Sequence, residues 1–217
     1  MSERFRIATP KGDVSAGWHD GGERAPSLVV GHGAGAGMEH PFIAGFCEEL
    51  ASAGISALRF NFPYLEAGRR SPGSPKDATA AFVAAFDAAT TRTGGRPVFA
   101  GGKSYGGRMA SMAAAAGMPA AGLVFLGYPL HAPGRSDQPR DGHLYDLKIP
   151  MLFLQGTKDP FADPDVLAGV LRKLGKRATF VPFEDAGHSF ERSRKDKPRD
   201  NAAQLVPHVV EFVNANS

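Results

Sequence analysis

The chain has 217 residues, and its 25 Lys and Arg against 22 Asp and Glu give a formal net charge of only +3 at pH 7. This small surplus does not supply the basic stripe that nucleic-acid binding needs, and no apolar run reaches the roughly 18 residues of a membrane span. Cys47 is the single cysteine, and the N-terminus lacks a signal-peptide pattern. We therefore predict a cytoplasmic protein that binds neither nucleic acid nor a membrane; the sequence does not indicate an oligomeric state.

Short β-type runs alternate with longer helical runs, which predicts a single α/β domain over residues 1–217. In such a domain a mostly parallel central sheet carries helices on both faces. The predicted strands are 5–8, 14–18, 27–30, 55–60, 97–100, 123–126, 151–155 and 179–183. The predicted helices are 41–53, 76–91, an Ala-rich run that ends at 116, 164–174 and about 200–213, and long loops cover 61–75 and 127–148.

Residues 102–106 read G-K-S-Y-G and fit the pattern G-x-S-x-G between a predicted strand and a predicted helix. That pattern is typical of a sharp turn that lifts a serine hydroxyl out of the carboxyl edge of a sheet, with glycines where a Cβ would collide with neighbouring backbone. A phosphate-binding P-loop is excluded, because Pro97 stands where its first glycine is required. Ser104 is therefore the predicted nucleophile.

Two further residues follow predicted strands and complete a possible serine-histidine-acid set. His188 follows the last strand and is the predicted general base, since an imidazole titrates near neutral pH. Asp159 follows the strand 151–155 and is the predicted acid that orients the imidazole. Asp163 and Asp165 are interpreted as helix-start residues and Asp185 as a loop residue.

The glycine-rich stretch after the third strand is a candidate oxyanion loop. We expect one backbone N–H donor from Ala34 or Gly35 and a second from Tyr105, the residue after the nucleophile. The stretch also fits G-x-G-x-x-A, a dinucleotide fingerprint. That alternative is disfavoured because the following strand ends without the acid that would hold the ribose.

Five segments, taken together, resemble the α/β-hydrolase family. They are VGHGAGAGM at 30–38, GGKSYGGR at 101–108, GYPLH at 127–131, HLYD at 143–146 and LQGTKD at 154–159. More narrowly, they resemble its small lidless branch, related to dienelactone-hydrolase-like proteins and to the hydrolase-like domain of a chromatin-complex subunit. The resemblance covers nearly the whole chain and implies an α/β-hydrolase fold and the Ser-Asp-His set given above. Dienelactone hydrolases use a cysteine nucleophile, so Ser104 does not favour that particular activity.

The loop 127–148 is too short for a helical cap, so we expect no cap domain and an open site for a small-molecule ester. Gly33, Gly35, Tyr128 and His131 are the expected substrate-binding residues, and no metal or cofactor is expected. The predicted function is a serine hydrolase that acts on carboxylic esters or thioesters. The alternative is a binding or scaffold protein that keeps the fold without turnover.

Overall fold

The computed structural model describes residues 2–217, over which eight strands and seven α-helices are formed. The strands are β1 (Glu3–Ile7), β2 (Val14–His19), β3 (Ser27–Gly31), β4 (Ser56–Phe60), β5 (Val98–Lys103), β6 (Leu123–Leu126), β7 (Met151–Gly156) and β8 (Ala178–Phe183). The helices are α1 (Pro41–Ser52), α2 (Pro63–Glu66), α3 (Pro75–Thr93), α4 (Tyr105–Ala115), α5 (Pro164–Leu174), α6 (Pro198–Ala203) and α7 (Val206–Ala215).

All eight strands belong to one sheet, in the order β1-β2-β4-β3-β5-β6-β7-β8. The first hairpin is antiparallel, and β2 also pairs with β4 antiparallel. Every pairing from β4 through β8 is parallel. The prediction of a mostly parallel sheet is thus confirmed. The carboxyl ends of β3, β5, β6, β7 and β8 all lie at one edge, where loops in parallel sheets form ligand sites.

Helices cover both faces of this sheet, and each face has its own apolar core. Phe82, Met109 and Leu167, from α3, α4 and α5, pack on one face. Phe46 of α1 and Phe212 of α7 pack on the other. The central strands β3, β5, β6 and β7 are buried along their whole length, as expected for strands covered on both sides.

No helix within residues 2–217 combines the length and the apolar character that spanning a membrane requires. Between β6 and β7 the structure has loops and one 3₁₀ turn, Gly142–Leu144, in agreement with the expected absence of a cap domain.

Several predicted strand ends differ from the structure by one to three residues, and two predicted segments differ in kind. The predicted loop 61–75 contains the short helix α2, which begins at Pro63, a residue favoured in the first turn of a helix. The predicted C-terminal helix is divided into α6 and α7. Because Pro207 has no N–H, a continuous helix would leave the Ala203 carbonyl without its hydrogen bond.

The turn between β5 and α4 packs directly against β3. A Cβ built on Gly102 or on Gly106 would lie 2.1 Å from the carbonyl oxygen of Gly31, a distance at which atoms collide. Gly102 also has a φ of 145°, which side chains other than glycine rarely adopt. Both positions therefore require glycine, and this requirement brings the start of α4 against the end of β3.

His32 fixes the loop that leaves β3. Its side chain is fully buried, with Nδ1 2.8 Å from the carbonyl oxygen of Gly33 and Nε2 3.1 Å from the backbone nitrogen of Phe62. A carbonyl oxygen can only accept and a backbone N–H can only donate, so the ring is neutral and protonated on Nδ1. Burial lowers the pKa of His32 to about 4, in agreement with the neutral form. One buried imidazole therefore joins the loop after β3 to the backbone of Phe62.

Gly106→Ala tests the contact between α4 and β3. We expect the free energy of unfolding to fall by about 3 kcal/mol, since the new methyl group meets backbone that cannot rotate away. Gly142→Ala is the matched control: its Cβ would meet open space, and we expect a change below about 0.5 kcal/mol. Chemical denaturation measures both. Similar stabilities for the two variants would contradict the packing described above.

The buried state of His32 predicts a pH effect. The unfolded chain binds a proton on this ring near pH 6.5, whereas the folded protein does so only near pH 4. Its contribution to folding is therefore complete above about pH 6.5 and is lost as the pH falls toward 4. The imidazole NMR resonances of His32 should stay unchanged from pH 8 to 5.5. A titration midpoint between pH 6 and 7 would show that the ring is not held as described.

Candidate active site

Ser104 stands between β5 and α4 with a backbone conformation that is rare for serine. Its φ is 50° and its ψ is −111°, a strained combination of the kind often found at functional sites and costing on the order of 1–3 kcal/mol. The turn is held by a hydrogen bond from the Ser104 N–H to the carbonyl oxygen of Leu126 on the neighbouring strand, at 3.2 Å. The close packing of Gly102 and Gly106 on Gly31 holds this turn against the end of β3.

A cavity of about 420 Å³ opens above Ser104 at the carboxyl edge of the sheet. It is formed by the loop after β3, the start of α1, the turn after β5 and the loops after β7 and β8. Its lining consists of Gly33, Ala34, Gly35, Ala36, His40, Phe42, Ile43, Lys103, Ser104, Phe161, His188 and Ser189. Ser104 and His188, predicted separately, thus face the same cavity.

Asp159 and His188 form a close pair between the loops after β7 and β8. Asp159 Oδ2 lies 2.7 Å from His188 Nδ1, and the Asp159 side chain is fully buried. Gln155 donates a further hydrogen bond to Oδ2, and the Phe161 N–H donates to Oδ1 at 2.8 Å. Because the carboxylate accepts the Nδ1 proton, a neutral imidazole has its lone pair on Nε2. This nitrogen can accept a proton from a neighbouring group.

Contacts between the two loops hold this pair in place. Lys158 donates its backbone N–H to the carbonyl oxygen of Ala186 at 2.9 Å, which joins the loop of Asp159 to the loop of His188. The Phe161 ring packs on the His188 ring, with a centroid distance of 4.4 Å. Phe161 therefore supports both members, the carboxylate through its backbone and the imidazole through its ring.

The Ser104 hydroxyl and His188 share the cavity, but the structure shows no hydrogen bond between them within residues 2–217. Serine and base are often further apart in a ligand-free site than in a substrate complex. The structure therefore places Ser104 and His188 in the same cavity without a hydrogen bond between them.

The competing acids have other partners. Asp163 begins α5 and accepts the N–H groups of Asp165 and Val166, as the sequence interpretation expected. Asp185 forms a 2.7 Å ion pair with Lys158 at the surface. Asp159 is the acid whose carboxylate contacts the His188 ring.

The loop after β3 lines the cavity with Gly33, Ala34, Gly35 and Ala36. The Ala36 N–H bonds to the Gly33 carbonyl at 3.2 Å and closes a turn in which Gly35 has a φ of 73°. Among the described residues, the N–H of Ala34 has no hydrogen-bond acceptor. The N–H of Tyr105 lies in the first turn of α4, where helices leave N–H groups unbonded.

Tyr128 and His131 lie outside the cavity lining. The Tyr128 hydroxyl donates to the Arg140 carbonyl at 2.9 Å, and its ring packs against Phe125. His131 Nδ1 is 2.9 Å from the Ala132 carbonyl oxygen, while Nε2 accepts the Asp163 N–H at 2.7 Å. The structure therefore places both side chains in buried supporting positions, and it brings only Gly33 and Gly35 of the four expected substrate-binding residues to the cavity.

Several residues of the lining were not predicted from the sequence as pocket residues. His40 begins α1, where its Nδ1 accepts the Phe42 N–H at 3.3 Å. Ser189 follows His188, and Ile43 lies in the first turn of α1. His40 and Ile43 could have been indicated by their position shortly after the glycine-rich stretch, and Ser189 by its position next to His188.

A second serine–histidine contact exists elsewhere. Ser111 Oγ lies 2.8 Å from His143 Nε2 and 2.8 Å from the Arg108 carbonyl oxygen, to which it donates. Both contacts are satisfied only when His143 donates its Nε2 proton to the hydroxyl, so this ring cannot act as a base toward Ser111. Ser111 is also fully buried. This pair is therefore structural.

Comparison with known proteins agrees with this architecture. A family model described as an alpha/beta hydrolase domain matches residues 24–214. A serine hydrolase without a lid from Xanthomonas campestris is 20% identical, with 98% of this chain and 94% of that chain covered and a TM-score of 0.74.

Two further solved structures have similar folds. A dienelactone hydrolase from Anabaena variabilis is also 20% identical, with 100% and 98% coverage and a TM-score of 0.75. An esterase from Pyrococcus furiosus is 14% identical, with 99% and 91% coverage and a TM-score of 0.78. At these identities the structures show a shared fold, and the narrower resemblance to a chromatin-complex subunit stays a prediction. The strand order, the strained serine turn and the family match over residues 24–214 together show that this chain belongs to the alpha/beta hydrolase family.

Proposed function

We propose that this hydrolase cleaves small carboxylic esters or thioesters, with Ser104 as nucleophile, His188 as general base and Asp159 as the acid that orients His188. The observation that carries the proposal is the 2.7 Å contact between Asp159 and His188 beside the cavity that also contains Ser104. The carboxylate selects the ring tautomer whose free nitrogen is a base, and it stabilises the imidazolium that forms.

The proposed reaction has two steps. The Ser104 oxygen attacks the substrate carbonyl while His188 takes the hydroxyl proton and then gives it to the departing alcohol or thiol, which leaves an acyl group on Ser104. Water then attacks the acyl carbonyl, His188 takes a proton from the water, and the carboxylic acid departs as the proton returns to Ser104. No metal or cofactor is needed for this proposal.

Backbone N–H groups are the proposed stabilisers of the negative charge that develops on the carbonyl oxygen. Tyr105 provides one donor at the N-terminus of α4, where the helix dipole is also favourable to an anion. Ala34 is the stronger candidate for the second donor. Burial raises the pKa of the Tyr64 hydroxyl, and the nearby Gly35 N–H opposes this rise, so the Gly35 N–H already has a neighbouring oxygen.

The shape of the site supports a small substrate. Residues 2–217 form no cap above the cavity, so this part of the chain does not build the covered apolar tunnel that a long acyl chain would need. Gly33 and Gly35 line the space next to Ser104, where the absence of side chains leaves room for an acyl group. One of the similar structures is named an esterase and another a dienelactone hydrolase, which supports hydrolysis of an ester bond. We place the reaction in the cytoplasm.

Ser104→Ala and Ser111→Ala separate the proposed nucleophile from the other histidine-bonded serine. We expect Ser104→Ala to lower kcat for p-nitrophenyl acetate and butyrate by at least about 10³-fold, because no acyl-enzyme can form. Ser111→Ala should keep kcat within a few-fold of the unaltered protein. Release of p-nitrophenolate measures both, and circular dichroism checks that each variant is folded.

Two results would contradict the proposal. Equal rates for the unaltered protein and Ser104→Ala would leave a binding or scaffold protein as the better description. A loss of activity in Ser111→Ala alone would indicate that Ser111, paired with His143, is the nucleophile.

A further inference from the structure

Lys103 is a buried cation next to the proposed nucleophile. It is the last residue of β5, only 7% of its surface is exposed, and it lines the cavity above Ser104. A Cβ built on Gly33 would touch both Lys103 Cγ, at 3.6 Å, and Ser104 Cβ, at 4.0 Å. The missing side chain at position 33 thus leaves one space that borders the lysine stem and the serine together.

The Lys103 ammonium has no close anionic partner in the described part of the chain. No carboxylate oxygen of residues 2–217 lies within 4.0 Å of its nitrogen. The two acids that act on it from a distance are Asp159 and Glu191. Asp159 accepts hydrogen bonds from His188, Gln155 and the Phe161 N–H. A Cβ built on Gly127 would lie 3.4 Å from Lys103 Nζ and 3.6 Å from Asp159 Oδ2, so the ammonium lies on the same side as this carboxylate without contacting it. Glu191 accepts the Ser189 N–H at 2.8 Å.

Burial without a close partner is costly for a charge. It lowers the pKa of Lys103 to about 8, even though Asp159 and Glu191 favour the charged form. The group is thus still mainly an ammonium at pH 7, and it gains more from an incoming anion than a solvated lysine does.

The rest of the lining is also suited to an anion. Its described residues include His40, Lys103 and His188 but no aspartate or glutamate. His40 accepts the Phe42 N–H on Nδ1, which leaves Nε2 as a proton donor when the ring is neutral. A negatively charged group in this cavity would therefore meet donors and a cation, and no repelling carboxylate in the wall.

We propose that Lys103 makes this cavity a subsite for a carboxylate carried on a short acyl group, so that the preferred substrates are half-esters of small dicarboxylic acids. The space at Gly33 favours a position on the acyl side of the substrate, because this space borders both Ser104 and the Lys103 stem. This proposal rests on the proposed esterase function and adds the charge of the substrate to it.

A pair of substrates with the same shape tests the charge alone. Monoethyl succinate carries a carboxylate where ethyl succinamate carries a neutral amide. The hydrolysis of either ester is measured by the release of ethanol. We expect the unaltered protein to favour the succinate by at least about tenfold in kcat/KM after correction for the two hydroxide rates. Lys103→Met, which keeps the length without the charge, should bring the ratio near 1, whereas Lys103→Arg should keep it above 1. Lys148→Met, at an exposed loop lysine, is the control and should leave the ratio unchanged.

The proposal fails if the unaltered protein shows no preference, or if Lys103→Met slows both substrates equally, which would indicate a positioning role. Binding of succinate itself separates this failure from a failure of the esterase function. Calorimetry on Ser104→Ala should detect succinate, and the Lys103→Met/Ser104→Ala protein should bind it at least about tenfold more weakly. If the protein binds succinate but hydrolyses no ester, the result would support the anion subsite and contradict the proposed esterase reaction. Equal binding by both proteins would overturn the subsite.

Discussion

The close packing of β3 against the turn after β5 is the contact on which the rest of the site depends. The carbonyl oxygen of Gly31 occupies the space where side chains at positions 102 and 106 would stand. This contact forces the chain through a sharp turn at Ser104 and starts α4 immediately beside the end of β3. As a result, Ala34 and Ser104 line the same cavity, and Tyr105 follows the serine as the first residue of α4. A looser contact would move the loop after β3 away from Ser104.

The parallel sheet then supplies the remaining groups. Because β7 and β8 run in the same direction as β5, the loops that follow them emerge at the same edge. One of these loops carries Asp159 and the other carries His188. The Lys158–Ala186 backbone hydrogen bond and the Phe161 ring fix the distance between them. Asp159 and His188 therefore come together because their strands run in the same direction. The contacts between the two loops then fix the distance between the two side chains.

Much of this arrangement was predictable from local patterns, and the parts that were not depend on tertiary contacts. The strand 123–126 and the helix 164–174 agree with the structure because periodicity and flanking residues act locally. The placement of Tyr128 could not be deduced in this way, since a tyrosine after a strand can face a cavity or a core with equal ease. In the structure its hydroxyl donates a hydrogen bond to the Arg140 carbonyl oxygen. The exposure of Lys103 to the cavity likewise depends on the absent side chain of Gly33, which lies 70 residues earlier in the chain.

We infer that one serine, held in a strained turn, is chemically activated by its surroundings. Peptide mapping after reaction with a fluorophosphonate measures this activation, because the probe bonds to a serine only when that serine is nucleophilic. We expect one adduct per chain, on the peptide that contains Ser104, and loss of the adduct when the protein is first unfolded. An adduct on a different serine, or a folded protein that takes up no probe, would contradict it.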